Sequence, residues 1–156
     1  MRLSDLLTED NIIAELKARE KVAALDEVVT GLASRTPCLG SGAAMDAILQ
    51  REKLGTTGIG HGVAIPHGKV KGLAELIVCF ARSRQGVDFD SMDKMPVHLI
   101  FLIVAPENGA SAHLKALAAI SRLLKSPEFR SDLLKAVTRA DIYRVIIEAD
   151  RKAVTL

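Results

Sequence analysis

Val97-His98-Leu99-Ile100-Phe101-Leu102-Ile103-Val104-Ala105 is apolar at every position but His98. A continuous run of this length, without alternation, suits a β-strand buried on both faces at the centre of a sheet. Upstream the pattern returns: from Leu76 to Ala81 the chain is again nearly all apolar, and Cys79 falls inside this second core strand. Between the two, Arg82 to Pro96 is polar and turn-rich and reads as a connection.

Working outward, the flanks change period. From Lys21 to Ser34, Val22, Leu25, Val28, Val29 and Leu32 recur at helical spacing. Thr36, Pro37, Gly40 and Ser41 break that pattern. A second helix runs from about Gly42 to Lys53, with Met45, Ile48 and Leu49 inward and Ser41 as its N-cap. Ile12 to Leu16 and Val63-Ala64-Ile65 read as short strands, the latter ending at Pro66. Beyond the central strands, Ala110 to Lys125 aligns His113, Leu117, Ile120 and Leu124. Ser126-Pro127-Glu128 opens another helix with an N-cap, a first-position proline and an acid. Thr138 and Asp141 form a capping box before the stripe Ile142, Val145, Ile146, Ala149. Helices, sheet and helices describe an α/β layered domain.

The chain has 156 residues, 49% of them hydrophobic and 26% charged, the size of one domain, read here as residues 1–156. The longest apolar stretch, Leu99 to Pro106, has eight residues, against the roughly 20 a spanning helix needs. No membrane insertion is expected. A net charge of +2 and 3% aromatic residues argue against a nucleic-acid binder. The first ten residues carry acids where a signal peptide needs its apolar run, so a cytoplasmic location is expected. Cys38 and Cys79 form no C-x-x-C motif and read as reduced.

Residues 55–68, Gly-Thr-Thr-Gly-Ile-Gly-His-Gly-Val-Ala-Ile-Pro-His-Gly, hold five glycines in fourteen positions. Such a segment, with nearby helix N-termini and strand ends, could offer backbone N–H groups to an anion. Within it Pro66-His67-Gly68 sets an imidazole at a strand end with open space beside the ring. Imidazole ordinarily titrates near ~6.5, so its neutral, nucleophilic form is abundant at pH 7. It needs only orientation of one ring nitrogen by a bond from the other. A loop histidine without a role fits the residues as well. A phosphoryl group on that ring would need donors and a cation; Arg51 could supply the cation, and Thr56 and Thr57 hydroxyls. From composition alone, a solvated helix-end charge and an ordinary turn are the better readings of those residues. His113 reads by itself as a half-exposed helical histidine packed near Leu117, and His98 as a packing or surface residue. A His61/His67 metal pair lacks the three or four protein ligands a zinc site takes. No G-x-S-x-G, no phosphate loop and no complete G-x-G-x-x-G occurs.

Arg51-Glu52-Lys53-Leu54-Gly55-Thr56-Thr57-Gly58-Ile59-Gly60-His61-Gly62-Val63-Ala64-Ile65-Pro66-His67-Gly68-Lys69 closely resembles the signature of the mannitol/fructose-type enzyme IIA domain of the bacterial phosphoenolpyruvate-dependent phosphotransferase system. Leu3 to Thr8 with Asn11-Ile12-Ile13 resembles the start of its stand-alone, nitrogen-regulatory branch, and Pro96 to Pro106 and His113-Leu114-Lys115 resemble later family blocks. The resemblance implies a mixed β-sheet of about five strands flanked by helices on both sides. It implies that Nε2 of His67 accepts a phosphoryl group from phospho-HPr or its nitrogen-branch paralogue. It implies that His113 helps hold that group, that Arg51 and Thr57 line the same pocket as phosphate-stabilising residues, and that no cofactor or metal is needed. It transfers no role to His61 or His98.

Three functions follow for testing. A phosphohistidine relay that regulates targets by its phosphorylation state is favoured by the absence of an enzyme IIB or permease segment before Leu156. A relay to an enzyme IIB cysteine in fructose or mannitol uptake is the second. A binding module that is never phosphorylated is the third. Docking on the histidine is expected to use an apolar patch around the glycine segment with a polar rim.

Overall fold

The computed structural model describes residues 2–155, so the two end residues of the expected 1–156 domain, Met1 and Leu156, lie outside the described residues. Among the described residues the chain forms six strands in one sheet and five α-helices. In chain order these are β1 (Ile12–Ile13), α1 (Lys21–Arg35), α2 (Ser41–Lys53), β2 (Gly58–Gly60), β3 (Val63–Ala64), β4 (His67–Val70), β5 (Ile77–Val87), β6 (Val97–Pro106), α3 (Ala110–Leu124), α4 (Pro127–Lys135) and α5 (Arg139–Thr155). Two short 3-10 turns, Leu3–Asp5 and Glu9–Asn11, precede β1.

The two apolar runs are the sheet's centre. β5 and β6 pair antiparallel, with Phe80 opposite Phe101. β1 joins β5 in parallel; β3 and β4 both join β6 in parallel, and β2 closes the far edge against β3. The sheet is therefore mixed, with one strand more than expected. Period two explains the unbroken apolarity. Leu99, Phe101, Ile103 and Ala105 enter one core with α3, α4 and α5, while Ile100, Leu102 and Val104 enter a second core with α1 and α2. Helices thus cover both faces. The Phe80 and Phe101 rings meet at 4.8 Å between centroids, a tilted pair of the favoured kind.

Helix boundaries follow their caps. The Ser126 hydroxyl accepts from the Phe129 N–H at 3.2 Å, and Thr138 and Asp141 exchange side-chain and backbone bonds at 3.1 and 3.2 Å. α2 starts one residue early, at Ser41, with Gly40 before it and no side-chain cap. In α1, Val22 is exposed, whereas Ala24, Leu25, Val28, Val29 and Leu32 are buried.

Three expectations are corrected. β5 continues through Arg82–Val87 instead of ending at Ala81. Polarity misleads there because Arg82, at 1% exposure, is buried. Its guanidinium donates to the carbonyls of Ala14 (3.0 Å), Leu133 (2.8 Å) and Ala136. The strand expected at 12–16 is two residues long. The strand at 63–65 does not end the run: after Ile65-Pro66 the chain rejoins β6 as β4, so His67 opens a strand instead of closing one. Cys38 is exposed and Cys79 buried, and both are free; burial pushes the Cys79 thiol up to about 12, which leaves it inert.

Candidate functional site

His67 sits at the start of β4, against the centre of the sheet, where its backbone pairs with Ile103 of β6. The neighbouring glycine brings α2 close. A Cβ on Gly68 would lie 3.1 Å from the backbone of Ala47 and Ile48. The space expected beside the ring is therefore filled on that side by a helix, and that helix carries Arg51 to the ring.

Two hydrogen bonds fix the imidazole. Nδ1 lies 2.8 Å from the Ile65 carbonyl, and Nε2 lies 3.2 Å from Nε of Arg51. A carbonyl only accepts and a guanidinium only donates. The ring must therefore carry its proton on Nδ1 and its lone pair on Nε2. A second Arg51 nitrogen donates to the Gly55 carbonyl at 2.9 Å, bracing the guanidinium against the turn after α2.

His113 comes from the first turns of α3 and meets His67 edge to face, with centroids 5.1 Å apart and planes at 73°. It is buried instead of half-exposed, and its Nε2 has no hydrogen-bond partner among the described residues. Burial, then the neighbouring His67 and Lys69, hold its pKa below the ordinary histidine value. Chain proximity could not reveal this pair: a crossover through β5 and β6 separates the two rings.

An open pocket of about 540 Å³ lies over them, lined by α2, β4 and the start of α3. Arg51, His67 and His113 all reach it, together with Gln50 and Lys69. Leu54 and Leu114 stand exposed at its rim. Lys69 was detectable in principle, since it lies two residues beyond His67 on one strand and so shares its face.

Thr57 is not brought to this pocket. It is buried, with its hydroxyl donated to Glu52 and its backbone N–H to the same carboxylate at 3.2 Å. Of the five glycines of residues 55–68, Gly68 lines the pocket, while Gly55, Gly58, Gly60 and Gly62 do not, so the segment builds no anion cradle there. Gly60 and Gly62, at φ of 100° and 74°, make the tight turn between β2 and β3, with His61 between them at φ 57°. The first turn of α3 reaches the pocket as well, through Ala110 and His113. His61 and His98 line a separate cavity beside α4, so His61 and His67 form no pair. Among the described residues no group of three or more His, Cys, Asp or Glu side chains could hold a metal.

One opening of an α/β sheet thus brings together two imidazoles and an arginine, and the family comparison supplies the class of protein. Residues 5–149 match the model for "Phosphoenolpyruvate-dependent sugar phosphotransferase system, EIIA 2", and the chain belongs to that family. A nitrogen regulatory protein of Bradyrhizobium diazoefficiens is 42% identical over 146 residues, 94% of this chain and 95% of that one. A fructose-specific EIIABC component of Bacillus subtilis is 38% identical over 97% of this chain, which spans 24% of that longer protein. The crystal structure of nitrogen regulatory protein IIA-Ntr from Neisseria meningitidis superposes with a TM-score of 0.85 at 29% identity, covering 92% of this chain and 98% of that one. Among the described residues no helix is long and apolar enough to cross a membrane.

Proposed function

We propose that this chain is a phosphohistidine carrier of the phosphoenolpyruvate-dependent phosphotransferase system, with Nε2 of His67 as the acceptor. The observation that carries this reading is the fixed tautomer: Nδ1–H is held by Ile65 and the Nε2 lone pair faces an open pocket beside Arg51. That lone pair attacks the phosphorus of a donor phosphohistidine, on HPr or a nitrogen-branch paralogue. The new bond is Nε2–P; the donor's N–P bond breaks and its electron pair returns to the donor ring. One N–P bond replaces another, so the protein's work is alignment and charge screening.

The dianionic phosphoryl group finds its screening in three places. Arg51 exchanges its bond to Nε2 for bonds to phosphoryl oxygens. The N-terminus of α3 offers its first-turn N–H groups and the positive end of its dipole. His113 offers Nε2, which has no hydrogen-bond partner among the described residues. A negative charge on His67 reverses the local electrostatics and favours a protonated, donating His113. Thr57 supports the site from behind, because its hydroxyl is already given to Glu52.

The similarity to the nitrogen regulatory protein of B. diazoefficiens favours regulation of targets, in the cytoplasm, as the use of this carrier. A charge of about −2 added to a docking face changes affinity directly. The relative from B. subtilis favours a second use, transfer onward to an enzyme IIB cysteine in sugar uptake. Incubation with phosphoenolpyruvate, enzyme I and HPr tests the carrier reading. An acid-labile, alkali-stable label that vanishes in a folded His67→Ala variant is the expected result; an unlabelled parent chain would refute it. Adding fructose- or mannitol-type enzyme IIB then separates the two uses, since only the uptake reading expects rapid loss of label to the IIB cysteine.

A further inference from the structure

We propose that Glu52 is a positioning residue for His67, acting through Thr57 and the Ile65 peptide; the inference rests on His67 being the phosphoryl acceptor. Arg51 fixes the tautomer of His67 from Nε2, and on the Nδ1 side one acceptor holds it, the Ile65 carbonyl at 2.8 Å. Ile65 lies between β3 and β4, outside either strand, so the ladder with β6 does not hold it directly. Its own N–H is held by the Thr57 carbonyl at 3.0 Å. Thr57 is held in turn by Glu52, which takes its N–H on Oε1 and its hydroxyl on Oε2.

A carboxylate suits this place for a chemical reason. Two donors converge from one residue, and only an ionised carboxylate presents two acceptor oxygens and no N–H of its own. The charge is buried, so it needs a partner, and Lys21 at the start of α1 supplies one at 3.0 Å. Lys21 is itself set over the Phe89 ring, 4.9 Å from its centroid.

Arg51 and Glu52 are consecutive on the last turn of α2. One touches Nε2 of the ring directly; the other reaches Nδ1 through Thr57 and Ile65. The imidazole is thereby gripped from both nitrogens by one helix end. If the Glu52 arm is loosened, the Ile65 carbonyl shifts, the two tautomers mix, and the fraction with a free Nε2 lone pair falls. Reacting groups displaced by about 1 Å can slow a reaction by roughly 100-fold.

Three variants test this: Glu52→Gln, which turns an amide N–H2 toward one donor; Thr57→Val, which deletes the hydroxyl at constant shape; and Thr57→Ser, which keeps it. Two readouts apply to each, the rate of phosphoryl uptake from phosphorylated HPr and long-range proton–nitrogen spectra of the His67 ring. Folded Glu52→Gln and Thr57→Val chains should take up phosphate about 10- to 100-fold more slowly and show Nδ1 and Nε2 shifts moved toward a tautomer average. Thr57→Ser should match the parent in both. A folded Glu52→Gln or Thr57→Val chain with the parent's rate or the parent's tautomer overturns the proposal. The parent's own spectrum is a check that no folding defect can spoil: above pH 8, Nδ1–H must dominate, and an averaged pair overturns the proposal. If the parent is not phosphorylated on His67 yet the variants scramble its tautomer, the carrier reading fails while the positioning by Glu52 stands.

Discussion

Gly68 decides how closely α2 can bring Arg51 to His67. Its missing Cβ leaves room for the backbone at Ala47 and Ile48, which is the stiff part of a helix and cannot rotate away. Gly68→Ala should push α2 off β4, lengthen the Arg51–His67 bond and slow phosphoryl uptake, with a loss of about 1–3 kcal/mol in denaturant unfolding. His113 carries the pH prediction. Burial lowers its folded pKa, so the unfolded chain binds the proton more readily, and stability falls as acid is added. The contribution is fully present above the unfolded value near ~6.5 and is lost as pH drops below that and through the lower folded pKa. Denaturant midpoints between pH 7.5 and 5 should therefore fall in the parent and fall less in His113→Gln. Of these residues, His67 could be read from the sequence because Pro and Gly bracket it inside a long motif. His113 could be tied to it only through the family resemblance, since its burial and its partner both come from the crossover that folds α3 back over the sheet.

At the scale of elements, Arg82 joins three that are far apart in the chain. Its guanidinium caps the C-terminal carbonyls of α4 and holds the segment after β1 to β5. A cation suits a helix C-terminus, and no carboxylate is needed where carbonyl oxygens converge. Arg82→Ala strands those acceptors in a buried space and should lower stability by about 3 kcal/mol or more, measured by urea unfolding. The same residue explains the main misreading of the sequence. Apolar β6 and the first half of β5 announce themselves because the helices on both faces require apolar contacts. The second half of β5 stays hidden because its Arg82 and Arg84 side chains find partners at positions 14, 15, 133 and 136, and no local window contains them. Helix starts were legible at Ser126 and at Thr138 with Asp141, where side chains make the caps, and from apolar spacing at Lys21 and Ala110, where none does; at α2 the start was misplaced by one residue.

For the whole molecule, the sheet acts as a platform that delivers β4, the end of α2 and the start of α3 to one opening. The exposed leucines at that opening, Leu54 at 85% and Leu114 at 67%, with Lys69 beside them, give the apolar patch and polar rim expected of a docking face. The patch surrounds the α2–α3 pocket instead of the glycine turn. Leu114→Asp should raise the HPr concentration needed for half-maximal transfer about tenfold, a loss typical of an interface anchor, and leave the melting temperature unchanged. The nitrogen that bears phosphorus can be read directly. In the chain phosphorylated by HPr, phosphorus–nitrogen couplings and imidazole nitrogen shifts should place the phosphoryl group on Nε2 of His67, with Nδ1–H still bonded to Ile65. Phosphorus on Nδ1 of that ring, or on His113, His61 or His98, would contradict the account.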